Sequence, residues 1–264
     1  MTAPGPAAEV LIDQLVIHGV RHMFCVPGES YIAALDACHD RDIAVTVCRQ
    51  EGGAAIMAEA VGKATGRPGI CFVTRGPGAT NAAAGLHIAQ QDSTPLILFV
   101  GQIAREMRER EAFQELDYRA VFGTMAKWAT EIDDPARIPE LVSRAFYTAT
   151  SGRPGPVVIA LPEDMLVERV AVPDAPAFEP VETWPGATDM SRLQKLLWAA
   201  ERPIVLARRQ PLVGAGLRRG RALRRALCAA GRDHVPARAS VRSGPSLLCR
   251  RSRHRAQSRS CWRA

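Results

Sequence analysis

Between residues 8 and 161 the chain alternates between two hydrophobic periods. Apolar residues three to four apart over 8–18, 30–39, 52–65, 79–90 and 135–150 predict helices. Between them lie short apolar runs, most of them rich in β-branched residues, at 22–26, 43–47, 69–73, 96–100, 126–130 and 157–161, which predict strands. Strand and helix alternating at this spacing imply an α/β fold, with a parallel sheet flanked by helices on both faces over 1–165. The strand runs are almost continuously apolar, as expected where both faces of a sheet are covered. Gly19-Val20, Gly66-Arg67-Pro68-Gly69 and Gly152-Arg153-Pro154-Gly155-Pro156 mark helix ends that feed strands.

Beyond this region the pattern changes. Pro162, Pro173, Pro176, Pro180 and Pro185 fall among acids and small residues, and 166–190 reads as a linker. A short helix at 190–200 and a strand at 202–206 then open an incomplete central domain over 191–206. Residues 207–264 hold 16 Arg, no Lys and one acid, Asp233, a balance of +15. They contain no Ile, Met, Phe, Tyr, Asn, Glu or Thr, and too little apolar surface to offset the entropy of ordering. The expectation is a disordered basic tail. Two origins stand: a genuine polyanion-binding tail that engages nucleic acid, or translation in a shifted frame of a GC-rich gene. The absence of Lys and the abrupt start inside a developing strand favour the second. The whole-chain charge of +7 therefore describes the tail, because residues 1–206 carry 18 basic and 26 acidic residues.

Hydrophobic residues make up 47% of the chain, enough for a sizeable core. The seven Cys include no C-x-x-C pair, and Cys25, Cys38, Cys48 and Cys71 sit in apolar or strand-like runs. Buried free thiols in a reducing cytoplasm are expected, rather than disulfides or a zinc site. The first eight residues lack the basic-then-apolar pattern of a signal peptide, and no run of 18 apolar residues predicts a membrane span.

Open parallel sheets collect ligands at the carboxyl ends of their strands. Three strand exits stand out: Val26-Pro27-Gly28-Glu29, Arg49-Gln50-Glu51-Gly52-Gly53-Ala54 and Thr74-Arg75-Gly76-Pro77-Gly78-Ala79-Thr80-Asn81. Each leads directly into a helix, where glycine lets backbone approach a ligand and the helix N-terminus offers free N–H groups. Each loop alone is equally a tight turn. Glu51 is the sharpest candidate, an acid among small residues. Its competing reading is a helix-start acid favoured by the helix dipole.

Seven runs in order carry a family resemblance. They are the three exits above, Gly66-Arg67-Pro68-Gly69, Asp92-Ser93-Thr94-Pro95-Leu96, Ala112-Phe113-Gln114-Glu115 and Ser151-Gly152-Arg153-Pro154-Gly155-Pro156. As a set, over roughly 8–206, they resemble the N-terminal, pyrimidine-binding domain of the acetolactate synthase family. The resemblance implies thiamine diphosphate as cofactor and Glu51 as the residue whose carboxyl meets N1′ of the aminopyrimidine. It implies decarboxylation and carboligation of 2-oxo acids through a C2 ylid. It places Pro27, Gly28, Thr74, Gly76, Pro77, Gly78 and Asn81 around the pyrimidine. Phe113, Gln114 and Lys127 would lie toward substrate, and Arg153 toward FAD in members that hold flavin. Gln114 also reads as a surface loop residue, Lys127 as a solvated strand-end lysine and Arg153 as part of a helix-to-strand turn.

Two departures stand out. The family's His-Glu-Gln is Gln50-Glu51-Gly52 here, so the flanking polarity that bears on substrate choice is changed. The Gly-Asp-Gly segment and Asn-rich ligands that hold Mg²⁺ and the diphosphate do not occur in the 264 residues, which offer no metal site. In the family the site forms between subunits of a homo-oligomer, so this domain would supply one half. The rival reading is a catalytically inactive binding or partner protein.

Overall fold

The computed structural model describes residues 4–179, 185–200, 205–208 and 246–249. The chain divides into two compact units, Met1–Val181 and Glu182–Ala264.

The first unit opens with strand β1 (Gly5–Pro6) and helix α1 (Ala7–Ile17), followed by β2 (His22–Cys25), α2 (Ile32–Asp36) and β3 (Ala44–Val47). It continues with α3 (Glu51–Thr65), β4 (Gly69–Val73), α4 (Pro77–Asp92), β5 (Leu96–Gln102) and α5 (Tyr118–Phe122). It closes with β6 (Trp128–Glu131), α6 (Ile138–Thr150), β7 (Pro156–Pro162), α7 (Glu163–Val167) and β8 (Arg169–Val170). Six strands form one parallel sheet in the order β3-β2-β4-β5-β7-β6. β1 and β8 pair separately, antiparallel.

Strand alternation divides the core into two layers. Phe72, Ile97, Phe99, Val157 and Ile159 face α1 and α6, packing on Leu11, Leu15, Val142 and Phe146. Cys71, Val73, Leu98, Val100 and Val158 face the other side, against Ala55, Ala58, Leu86 and Phe122. The expected helix–sheet–helix sandwich is therefore observed. Edge strand β3 differs from the expectation of full cover, because Val47 is 64% exposed. Helix ends follow the glycines: α1 closes at Gly19 (φ 79°) and α3 at Gly66 (φ 75°), in the left-handed region glycine enters without steric cost.

The stretch read as a linker lies partly on the first unit. Ala175 N–H donates to Gln14 Oε1 at 3.0 Å, and Gln14 Nε2 donates to Ala175 O at 2.9 Å. Phe178 N–H donates to His18 Nδ1. In the second unit, α8 (Ala187–Ala199) covers the expected short helix. Two short strands follow, β9 (Val205–Arg208) and β10 (Ser246–Cys249), paired antiparallel. β10 is regular structure within a segment read as disordered; the four-residue pairing to β9 is what the composition gave no sign of. The rest of 207–264 lies outside the described residues.

No helix among the described residues is long and apolar enough to cross a membrane. Cys25, Cys38 and Cys71 are buried free thiols and Cys48 is half-buried. Burial pushes the Cys38 thiol up to about 11.

Candidate functional site

In the sheet, the chain leaves β2 toward β3 on one flank, while β4 lies on the other. Where connections diverge in this way, the loops beyond the strand ends part and leave a crevice. The exits of β2 and β4 meet there closely. A side chain on Gly28 would place its Cβ 2.5 Å from Thr74 Cβ, so only glycine permits the approach. Ser30 Oγ and Thr74 Oγ1 share a hydrogen bond of 2.9 Å beneath it.

Glu51 enters this crevice as the first residue of α3. Gln50 is extended, and its Oε1 accepts the Gly53 N–H at 2.8 Å, capping the helix. That cap explains the departure at position 52 as well. A Cβ on Gly52 would lie 2.9 Å from Gln50 Oε1 and 3.0 Å from Asn81 O. The two unusual neighbours of Glu51 are thus one structural arrangement. The Glu51 carboxylate is partly buried. Asn81 Nδ2 donates to its Oε2 at 3.1 Å. Its Oε1 lies 3.5 Å from the point where a Cβ on Gly78 would sit, and that Cβ would also be 2.7 Å from Thr74 Cγ2. A carboxylate oriented by an amide therefore lies beside the close packing of Gly78 on Thr74.

Gln114 joins this edge. A Cβ on Gly76 (φ 53°) would meet Gln114 Cβ at 2.8 Å and Gln114 O at 2.9 Å. Gln114 itself has φ 65°, and Glu109 and Glu111 in the same loop are also left-handed. Such conformations cost on the order of 1–2 kcal/mol for a side-chain-bearing residue. The loop is held at both ends: Gln102 Nε2 donates to Leu116 O, and Glu115 accepts from the Glu109 and Ala112 N–H groups. Phe113 is 73% exposed beside Gln114, and Pro27 and Pro77 are exposed on the rims.

Lys127 and Arg153 are not brought to this edge. Both precede strands, β6 and β7, and therefore lie at the amino end of a parallel sheet, opposite Glu51. Lys127 Nζ donates to Thr148 O and Ser151 O at the end of α6, and burial lowers its pKa. Arg153 donates to Ser93 Oγ at 2.7 Å and to Gln90 O and Gln91 O at the end of α4. Cations at helix C-termini satisfy carbonyls that lack helical partners. The Asp92-Ser93-Thr94-Pro95 run is structural too: Thr94 Oγ1 donates to the buried Glu59, and Lys63 bridges Glu59 and Asp92.

Sequence reasoning did not single out Arg75 or Tyr118. The Tyr118 hydroxyl accepts the Gly76 N–H at 2.9 Å, and burial pushes its pKa up to about 12. A cavity of about 440 Å³ runs along edge strand β6, lined by Arg119, Trp128, Asp133, Arg137 and Arg144 among others. It contains none of the expected site residues. Among the described residues, no three His, Cys, Asp or Glu converge to hold a metal ion.

Residues 6–121 match the thiamine pyrophosphate enzyme N-terminal TPP binding domain. Those residues, less than half of this chain, are similar to that domain. Among similar proteins, acetolactate synthase of Bacillus subtilis (strain 168) is 36% identical over 200 residues, 75% of this chain and 35% of that protein. The probable acetolactate synthase large subunit of Methanocaldococcus jannaschii is 36% identical over 208 residues, 76% of this chain and 35% of its own length. The acetolactate synthase isozyme 3 large subunit of Escherichia coli (strain K12) is 35% identical over 206 residues, 75% and 36% of the two chains. The matched part thus spans about a third of these relatives.

If Lys127 and Arg153 serve as helix caps, Lys127→Ala and Arg153→Ala should each lower unfolding free energy by about 1 kcal/mol. Cofactor affinity should stay unchanged. Denaturant titration beside binding calorimetry checks this. A loss of affinity at unchanged stability would return either residue to a ligand site.

Proposed function

We propose that the crevice between the β2 and β4 exits holds the aminopyrimidine of thiamine diphosphate, and that the chain serves an enzyme acting on 2-oxo acids. The observation that carries this reading is Glu51, oriented by Asn81 at the first turn of α3 and lying beside Gly78. The residues fit the group: Gly28 and Gly78 let the β2 and β4 exits close on Thr74, and beside them Glu51 keeps Oε1 as a proton acceptor or donor while Oε2 accepts from Asn81. When bound, thiamine diphosphate supplies the electron sink for decarboxylation and carboligation of 2-oxo acids.

The chain's own residues place and protonate. Glu51 offers Oε1 to accept or donate a proton, while its Oε2 accepts from Asn81 Nδ2. Pro27, Gly28, Thr74, Gly76 and Pro77 shape the walls, and Gly78 packs on Thr74 near Glu51. Gln114, seated on Gly76, and the exposed Phe113 lie toward substrate. Mg²⁺ and the diphosphate belong to a further domain of the complete enzyme, a homo-oligomer, and FAD is a further cofactor to test. Similarity to acetolactate synthases supports acetolactate synthesis as the activity class.

The test is a titration of the full chain with thiamine diphosphate, with and without Mg²⁺, followed by calorimetry. Saturable binding with Kd of about 1 mM or tighter is expected for the aminopyrimidine contacts alone. Gly78→Val, whose Cβ would meet Thr74 Cγ2 at 2.7 Å, should abolish it, with a thermal melt checking the fold. No binding by the native chain would contradict the reading.

A further inference from the structure

The β4 exit carries a guanidinium that the pyrimidine pocket does not use. Arg75 is 7% exposed, a buried cation in a loop otherwise made of small residues. Its NH2 group donates to Glu29 Oε1 at 2.7 Å, and its NH1 group donates to Glu163 Oε2 at 2.6 Å. Glu29 follows β2, and Glu163 opens α7 directly after β7. In the sheet β2 adjoins β4, whereas β7 lies beyond β5. One side chain therefore ties together the exits of β2, β4 and β7.

The backbone of the same residue belongs to the site. Arg75 O accepts the Gly78 N–H at 3.3 Å, and the next N–H, on Gly76, donates to Tyr118. The 76–78 turn contains two glycines, so unrestrained it would lose much conformational freedom on meeting a ligand. The guanidinium itself is held out of water, so losing a carboxylate partner leaves a buried charge less well compensated. Glu29 is the flexible partner, with 73% of its side chain exposed, against 41% for Glu163.

We propose that Arg75 is a positioning residue. Its two ion pairs hold the 76–78 turn and the loop around Gly28 in their ligand-ready arrangement about Glu51 before any ligand arrives. Only the identity of that ligand rests on the thiamine diphosphate reading. A lysine here would bring a point charge able to serve one carboxylate at a time, so it should replace the guanidinium only in part.

The experiment compares the full native chain with Arg75→Met, Arg75→Lys and Glu29→Gln by hydrogen–deuterium exchange and by thiamine diphosphate titration. In Arg75→Met, amide exchange over 27–31 and 74–81 should rise about tenfold or more, while the buried strand 97–100 keeps its native rate. Arg75→Lys should fall between, and Glu29→Gln should act mainly on 27–31. Thiamine diphosphate affinity should drop about tenfold in Arg75→Met and be partly rescued in Arg75→Lys. Native exchange over 27–31 and 74–81 in both Arg75→Met and Glu29→Gln would overturn the proposal. So would unchanged affinity in an Arg75→Met chain whose loops exchange faster. If Arg75→Met does not fold, Glu29→Gln, altered at the exposed end, decides. If the native chain binds no thiamine diphosphate, the cofactor reading fails and the exchange rates alone decide whether Arg75 restrains the turn.

Discussion

Glu51→Gln is expected to slow exchange of the C2 proton of thiamine diphosphate bound to this chain by about a hundredfold or more, with the fold intact. The size follows from what a positioned acid or base contributes, typically 10²–10⁴-fold. The fold should survive because Glu51 is partly buried at the first position of α3 and makes one side-chain hydrogen bond, from Asn81. Losing its charge there removes a helix-dipole interaction of about 0.3–1 kcal/mol. Glutamine keeps the shape and an oxygen for Asn81 but cannot exchange a proton in the same way. Proton NMR in D₂O gives the exchange rate, and a thermal melt checks the fold. Exchange at the native rate would leave Glu51 as a helix-start acid, the reading its position alone allowed.

Gly69→Ala is expected to destabilise the domain by about 3 kcal/mol or more, with the melting midpoint lower by about 6–12 °C. A Cβ at Gly69 would lie 1.8 Å from Ala58 O and 2.6 Å from Ala58 C, both backbone atoms of α3. The helix cannot simply retreat. On its other side it packs on α4, where a Cβ at Gly85 would lie 2.6 Å from Ala55 Cβ. The alanine must therefore push α3 away from β4 or distort the strand, and either change opens the layer holding Ala55, Ala58 and Leu86. Gly53→Ala is the control. Its new Cβ would approach only Gln50 Oε1, at 3.9 Å, and helical alanine is favoured over glycine by about 0.5–1 kcal/mol. Scanning calorimetry of both variants measures the contrast. Equal stability of Gly69→Ala and the native chain would contradict the close packing of α3 on β4.

The six sheet strands were legible because each is a short apolar run bounded by turn residues. Their ends shift by one or two positions, as where β5 continues through Gln102 to anchor the next loop. Helix α5 was not legible: five residues starting from the Asp117 cap are too few for a period to emerge. Of the candidate site, the residues following strands were legible, since chain direction sends them all to one edge. The resemblance placed Lys127 and Arg153 toward substrate and FAD, and chain direction puts them at the opposite edge. Both stand before strands, and both spend their charge on helix-terminal carbonyls. Arg75 lay within the Thr74–Asn81 run without being singled out. Its partners Glu29 and Glu163 are 46 and 88 residues away, and only the folded sheet brings them together.

The position of the ligand is read most directly from backbone amide resonances of the isotope-labelled chain during titration with thiamine diphosphate. The amides of Gly28, Gly52, Gly53, Gly76 and Gly78 should shift together and saturate at one ligand concentration, while those of Gly152 and Gly155 at the opposite edge stay in place. Shifts confined to the opposite edge, or no saturable shift at all, would contradict a cofactor seat built around Glu51.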